Sequence, residues 1–228
     1  MAGAARFVIE RFRELYGASP EPRVFLAPGR VNLIGEHTDY NLGFVMPVAL
    51  DLACCTATAP AGDGRFRVFS ENLGESRDWP AAGIASATPA RDWGDYVLGV
   101  ARELVRAGFD VPPRNLLLYS TVPVGSGLSS SAAIEVSTAL ALLEGRPMEP
   151  LELAKLCRRA ENQFVGMPCG IMDQFISVFG RDHAAVKIDC RSLEHEVVPL
   201  PEGAEFVAVN TMVKHELGSS AYRERVAE

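Results

Sequence analysis

Positive charge is scarce in this chain. Against 22 Lys and Arg stand 29 Asp and Glu in 228 residues, a net charge of −7. That balance argues against nucleic acid as a partner, because phosphate backbones need a basic surface. No apolar run reaches the length of a membrane span, which argues against a membrane protein. The N-terminal stretch Ala4 to Tyr16 mixes Arg6, Arg11 and Arg13 with Glu10 and Glu14. It reads as an amphipathic surface helix, not a signal peptide. Cysteines are few and odd in number (Cys54, Cys55, Cys157, Cys169, Cys190), with no Cys-x-x-Cys spacing. They are expected to be reduced, buried thiols in a cytosolic protein, Cys169 among them as packing. His183, His195 and His215 lack metal-ligand spacing and read as structural or solvated. No repeat, low-complexity segment or clear linker divides the chain. With 48% hydrophobic and 22% charged residues the composition is that of a globular protein. The length allows one large domain or two small ones.

What is present is concentrated in a few segments. Ala27 to Asn41 reads Ala-Pro-Gly-Arg-Val-Asn-Leu-Ile-Gly-Glu-His-Thr-Asp-Tyr-Asn, straight after the apolar Val24-Phe25-Leu26. It gathers Arg30, Glu36, His37 and Asp39 among two glycines, a set suited to polyols and charge rather than a solvated face. Pro123-Val-Gly-Ser-Gly-Leu-Ser-Ser-Ser-Ala-Ala133 follows a strand-like run. Gly125 and Gly127 would let the backbone approach a ligand, and three serines then open an apolar-periodic stretch. Free amides at that helix start, with the positive end of its dipole, form an anion site that suits phosphates. The loop lacks Gly-Lys-Ser or Gly-Lys-Thr, so a phosphate-loop NTPase is excluded. Position 130 is serine, so the Gly-x-Gly-x-x-Gly pattern of dinucleotide folds is absent too.

The layout mixes helix and strand. A helix is expected at the N-terminus, a strand over 23–27, and one or two buried strands between Gly43 and Ala59. Residues 60–64 read as a turn and 65–69 as a half-buried strand, while 71–92 reads as a long loop. A helix is expected from Trp93 to Gly108, a strand over 115–122, and a helix from about Ser130 to Leu143. In a helix over 149–165, Leu153, Leu156, Cys157, Ala160 and Phe164 form the apolar stripe, and Glu161 falls off it. By composition alone Glu161 is a solvated glutamate. Asp173 lies amid apolar neighbours in Gly-Ile-Met-Asp-Gln-Phe-Ile, where an unpartnered charge is unfavourable.

With these segments in view, the chain closely resembles the galactokinases, sugar kinases of the GHMP family. Gly29 to Tyr40 resembles their sugar-binding signature, and Pro123 to Ala133 the phosphate motif shared across the wider family. Gly166-Met-Pro-Cys-Gly-Ile-Met-Asp-Gln-Phe175 is similar to the segment that carries the catalytic aspartate. The resemblance runs from about Arg23 to the end of the chain. It does not include the family's third glycine-rich motif or its C-terminal domain.

The resemblance implies an α+β fold of the ribosomal-protein-S5 domain 2 type over residues 1–205, with only the start of a C-terminal domain at 206–228. The capped, helix-like stretch Ser219 to Glu228 stops without Gly or any other C-terminal cap, so a truncated chain is expected. The implied reaction is ATP-dependent phosphorylation of α-D-galactose at its anomeric hydroxyl, with Mg2+ as cofactor. Asp173 would take the hydroxyl proton, and Arg30 would stand between it and the transferring phosphate. Glu36, His37, Asp39, Asp173, Tyr222 and the backbone of Gly170 would hold the sugar. Pro123, Gly125, Ser126, Gly127, Leu128, Ser129, Ser130 and Ser131 would cradle the phosphates, with Trp93 near the base. Ser131 and Glu161 would be the magnesium ligands, Glu161 because it precedes Asp173 at the family's interval. A full-length monomer in the cytoplasm is expected. The alternatives are an N-acetylgalactosamine kinase and a non-catalytic galactose and ATP sensor. Non-catalytic relatives alter the serine-alanine part of the phosphate motif, which is intact here.

Overall fold

Residues 2–18, 20–203 and 206–209 are described by a computed structural model of the chain. Tyr222, and with it the expected second-domain segment from residue 210 onward, lies outside the described residues. Helix α1 (Ala2–Tyr16) leads into β1 (Arg23–Asn32), β2 (Phe44–Val45), β3 (Pro47–Pro60), β4 (Arg65–Ser70) and β5 (Glu75–Pro80). Then come α2 (Gly94–Arg106), β6 (Arg114–Ser120), α3 (Ser130–Leu143), α4 (Pro150–Arg159), α5 (Met172–Phe179), β7 (Ala184–Asp189) and β8 (His195–Pro199). The strands form one mixed sheet in the order β2-β7-β3-β6-β4-β5, with β1 paired to β3 and β8 to β7.

β3 explains the run of small and β-branched residues in the sequence. Cys54 faces the core built with α2 and α3, where Thr56 shares a 2.8 Å hydroxyl bond with Ser137. Cys55, Ala57 and Ala59 face α1 through Val8 and Phe12. Both faces are covered, so the strand shows no polar alternation, and small side chains let helices pack closely on each side. α2 presents Val97, Val100, Ala101 and Leu104 inward, all 0% exposed, as their helical spacing predicts.

Two expectations need correction. The segment 71–92 is not a loop throughout: β5 pairs antiparallel with β4, and a 3-10 turn spans Ala81–Ser86. β5 is a polar edge strand, Glu-Ser-Arg-Asp-Trp-Pro, held by β4 on one side, so its sequence carries no apolar alternation. The helix over 149–165 is also not continuous. It is α-helical only to Arg159 and continues as a π turn over Ala160–Val165, ended by Gly166 at φ 82°. Ala160 and Phe164 stay buried across this change, and Glu161, four residues after the buried Cys157, is buried with them.

Candidate active site

β1 delivers the first group. Its register with β3 shifts between Pro28 and Arg30, a bulge centred on Gly29. A Cβ on Gly29 would lie 2.5 Å from the Leu128 carbonyl oxygen, so only glycine lets the glycine-rich loop close onto the strand. The Arg30 amide donates to that carbonyl at 3.1 Å, and Ser177 of α5 donates to the Pro28 carbonyl at 2.8 Å. Strand, loop and helix are thereby fastened around one bulge.

Past it, the Arg30 guanidinium forks onto Asp173, Nε to Oδ1 at 2.7 Å and Nη2 to Oδ2 at 2.8 Å. Its third nitrogen donates to the Gly127 carbonyl at 2.6 Å. Planar bidentate pairing of this kind fixes direction as well as distance. Ser129 donates its hydroxyl to Asp173 Oδ2 at 2.6 Å. The serine thus reaches the aspartate by its side chain, a contact that sequence reasoning missed.

The loop from Pro123 to Ser129 ends in α3, whose first turn has no side-chain cap; Ser129 sits there in the left-handed conformation at φ 59°. Its first-turn amides are therefore left as donors. Gly125 and Gly127 have φ of 71° and 74°, and a Cβ on either would meet nothing within 4 Å. Here the demand for glycine is the left-handed backbone, not the close approach expected from sequence. Ser126 turns its hydroxyl back to the Pro123 carbonyl at 2.7 Å, bracing the loop.

Beside the loop opens a largely apolar cavity of about 310 Å³. Trp93, Tyr96, Leu73, Val124, Ile134 and Met167 line it, with Gly125, Ser130 and Ser131 at one end. Trp93 is held by its indole N–H, which donates to Glu75 at 3.0 Å, and by Arg77, 5.2 Å from its ring centroid. Tyr96, Leu73 and Met167 escaped the sequence reading; Tyr96 follows Trp93 by three residues on the start of α2, the signal that would have found it.

Asp39 lies near both Asp173 and Arg30. A Cβ on Gly170 would stand 2.0 Å from Asp39 Oδ2, so a side chain there would displace Asp39. Burial, reinforced by the nearby Asp173, holds the Asp39 carboxyl above its usual range. Glu36 and His37 are exposed; Glu36 accepts from Asn32 at 3.0 Å and His37 pairs with the Tyr40 hydroxyl at 2.6 Å. The signature therefore splits, with Arg30 and Asp39 facing Asp173 and its neighbourhood and the other two on the outer surface.

Glu161, far from solvated, is 4% exposed. Gln174 donates to its Oε2 at 2.6 Å, as does the Cys169 thiol at 3.2 Å. Cys169 thus does more than pack. Desolvation, with the nearby Asp173 adding to it, pushes the Glu161 carboxyl up to about 7, against bonds from Cys169, Ser131 and Gln174 that stabilise its charged form. Ser131 and Glu161 together offer hard oxygen donors. Among the described residues no cluster of three or more His, Cys, Asp or Glu could hold a metal. The pair fits a cation taken up with most of its ligands from elsewhere, not an all-protein cage.

A sheet covered by α2, α3 and α5 on one face carries an uncapped helix start beside a forked Arg–Asp pair. Residues 95–181 match the family of GHMP kinase N-terminal domains, and residues 10–60 match the galactokinase galactose-binding signature. A galactokinase of Roseiflexus sp. is 45% identical over 221 residues, covering 96% of this chain and 56% of the relative. That of Thermotoga maritima is 44% identical over 205 residues, 89% of this chain and 57% of the relative. The crystal structure of Lactococcus lactis galactokinase complexed with galactose superposes with a TM-score of 0.85, at 31% identity, over 98% of this chain and 59% of that one. Methanococcus jannaschii mevalonate kinase shares the fold, with a TM-score of 0.68 at 18% identity. The chain belongs to the galactokinase family, as its N-terminal part. It spans a little over half the length of the curated relatives it matches, 56% and 57% in the two named here. No helix among the described residues is long and apolar enough to cross a membrane.

Proposed function

We propose that this chain supplies the catalytic half of an ATP-dependent galactose kinase that phosphorylates the anomeric hydroxyl. The observation that carries the reading is the fork of Arg30 onto Asp173 at the lip of the glycine-rich loop. Phosphoryl transfer asks little covalent chemistry of a protein; it asks for an alcohol placed in line with a γ-phosphate and for charge compensation. Asp173 accepts the hydroxyl proton, and Arg30, fixed by three hydrogen bonds, faces the charge that develops on the transferring group. Amides of the loop and of the α3 start hold the phosphates, and the cavity beside Trp93 takes the base. Asp39 and the Gly170 backbone, with Glu36 and His37 at the outer edge, accept and donate to sugar hydroxyls, and Tyr222 completes that set. Ser131 and Glu161 hold Mg2+, which when bound compensates phosphate charge. A boundary near residue 205 belongs to the same reading, supported by the exposure of Phe206, Val207 and Val209 beyond it. The full-length protein is read as a cytoplasmic monomer.

Transfer of label from γ-labelled ATP to galactose, glucose or N-acetylgalactosamine, using the complete gene product, tests this reading. Label on galactose at the anomeric oxygen is the expected result. Label on N-acetylgalactosamine alone assigns the other sugar, and sugar binding without transfer assigns a sensor.

A further inference from the structure

One buried polar layer has no part in the chemistry above. Glu135 and Gln174 are both 0% exposed, and they meet Glu161 beneath the site. Gln174 Nε2 donates to Glu135 Oε2 at 2.9 Å and to Glu161 Oε2 at 2.6 Å, so both amide hydrogens are committed to carboxylates. Apart from a 3.9 Å contact of the same nitrogen with Cys169 Sγ, nothing else among the described residues fixes the amide; Gln174 Oε1 and Glu135 Oε1 are buried without a hydrogen-bond partner among them. Two carboxyls and an amide in an apolar interior are unfavourable unless something requires them.

Their positions say what that is. Glu135 lies four residues after Ser131 on α3, one turn deeper on the same face. Gln174 follows Asp173 on α5, so Asp173 meets Arg30 while Gln174 reaches Glu161. Glu161 stands on the π turn, where the backbone is irregular and does not hold its side chain by helix packing alone. An amide is nearly symmetric in shape, and presenting its oxygen to Glu161 would replace an attraction by a repulsion. Glu135 provides a second acceptor on the same nitrogen, which selects one of the two amide orientations.

We propose that Glu135 is a positioning residue: it locks the Gln174 amide so that its nitrogen holds Glu161 Oε2, which leaves Oε1 available to a cation. This rests on the reading of Ser131 and Glu161 as the magnesium pair. Neither Glu135 nor Gln174 touches substrate.

The test measures binding of the non-hydrolysable analogue AMP-PNP to the complete gene product by calorimetry, with and without Mg2+. In the wild type Mg2+ tightens binding. In Glu135→Leu and in Gln174→Met, both near-isosteric, that tightening is expected to fall by about 10- to 100-fold, as for loss of a group that orients a metal ligand. Metal-free affinity should stay within roughly twofold, since the loop amides are untouched. Glu135→Gln retains a carbonyl acceptor for Gln174 and should restore the gain to within about threefold. A fold-disrupting role would lower both affinities together and would not be rescued selectively. Full tightening in Glu135→Leu and Gln174→Met overturns the inference alone. A wild type indifferent to Mg2+ overturns the magnesium assignment, and the inference with it.

Discussion

Asp39 and Gly170 fit each other as side chain to bare backbone: a Cβ on Gly170 would lie 2.0 Å from Asp39 Oδ2 and 2.3 Å from its Cγ. Gly170 does not have a positive φ, so alanine is conformationally allowed there and its effect must come from displacing Asp39. Gly170→Ala is expected to weaken galactose binding about tenfold or more, because a sugar hydroxyl then loses its placed acceptor. ATP affinity should change little. Calorimetry with each ligand separately checks this, and equal losses for both would mean that the substitution disturbs α5 as a whole.

The Arg30–Asp173 fork predicts a loss in turnover rather than in affinity. Asp173→Asn keeps the size of the side chain and removes the proton acceptor, so kcat should fall by about 10²- to 10⁴-fold. Arg30→Ala should fall by a comparable factor of about 10²–10³, through lost charge compensation. Steady-state kinetics with circular dichroism as a folding check decides it. Near-wild-type turnover in Asp173→Asn would leave Arg30 and positioning as the whole of catalysis.

Asp39 also couples pH to stability. Its carboxyl is raised above the ordinary value of 3.8, chiefly by burial and then by Asp173. The folded chain therefore holds this proton more tightly than the unfolded chain does. The associated stability is fully present below that ordinary value and is lost as pH rises through the folded one. Asp39→Asn is not subject to this loss. It should melt at a higher temperature than the wild type at neutral pH, with the difference shrinking toward pH of about 4, while binding galactose more weakly. Thermal unfolding followed across this pH range is the measurement; a variant less stable at neutral pH would mean that hydrogen bonds to Asp39 outweigh its desolvation.

How far the sequence revealed the site depends on which physical signal each residue carries. The glycine-rich loop and the fork partners were legible because glycine, arginine and aspartate in such company are locally improbable without a reason, whereas the bulge at Gly29 was not read. α2 and α3 were legible from helical spacing. Glu161 was misread because the stripe was drawn too narrow: it lies four residues after Cys157 and eight after Leu153, on the buried face, and only its charge argued for solvent. β5 was missed because an edge strand needs only one hydrogen-bonded neighbour and no apolar face. The Ser129–Asp173 bond and the Glu135–Gln174–Glu161 layer join residues 13 to 44 positions apart. No local pattern encodes such contacts.

The missed strand bears on the nucleotide. β5 brings Glu75 to the Trp93 indole N–H at 3.0 Å, and Arg77 pairs with Asp92 at 2.7 Å while covering the Trp93 ring at 5.2 Å. The ring is thus oriented at the mouth of the cavity by charged groups on an edge strand, not by core packing alone. If it stacks on a base, Trp93→Ala should weaken ATP binding by about five- to a hundredfold, the usual range for a lost base–aromatic contact. Glu75→Ala, which frees the indole but keeps it, should give a smaller loss in the same direction. Galactose affinity should stay within about twofold in both, since no base contact is involved. Titration with ATP and with galactose, following the quenching of tryptophan fluorescence where the ring remains, separates the outcomes. Unchanged ATP affinity in Trp93→Ala would assign the ring to packing against β5, and the base to the Tyr96 and Met167 end of the cavity.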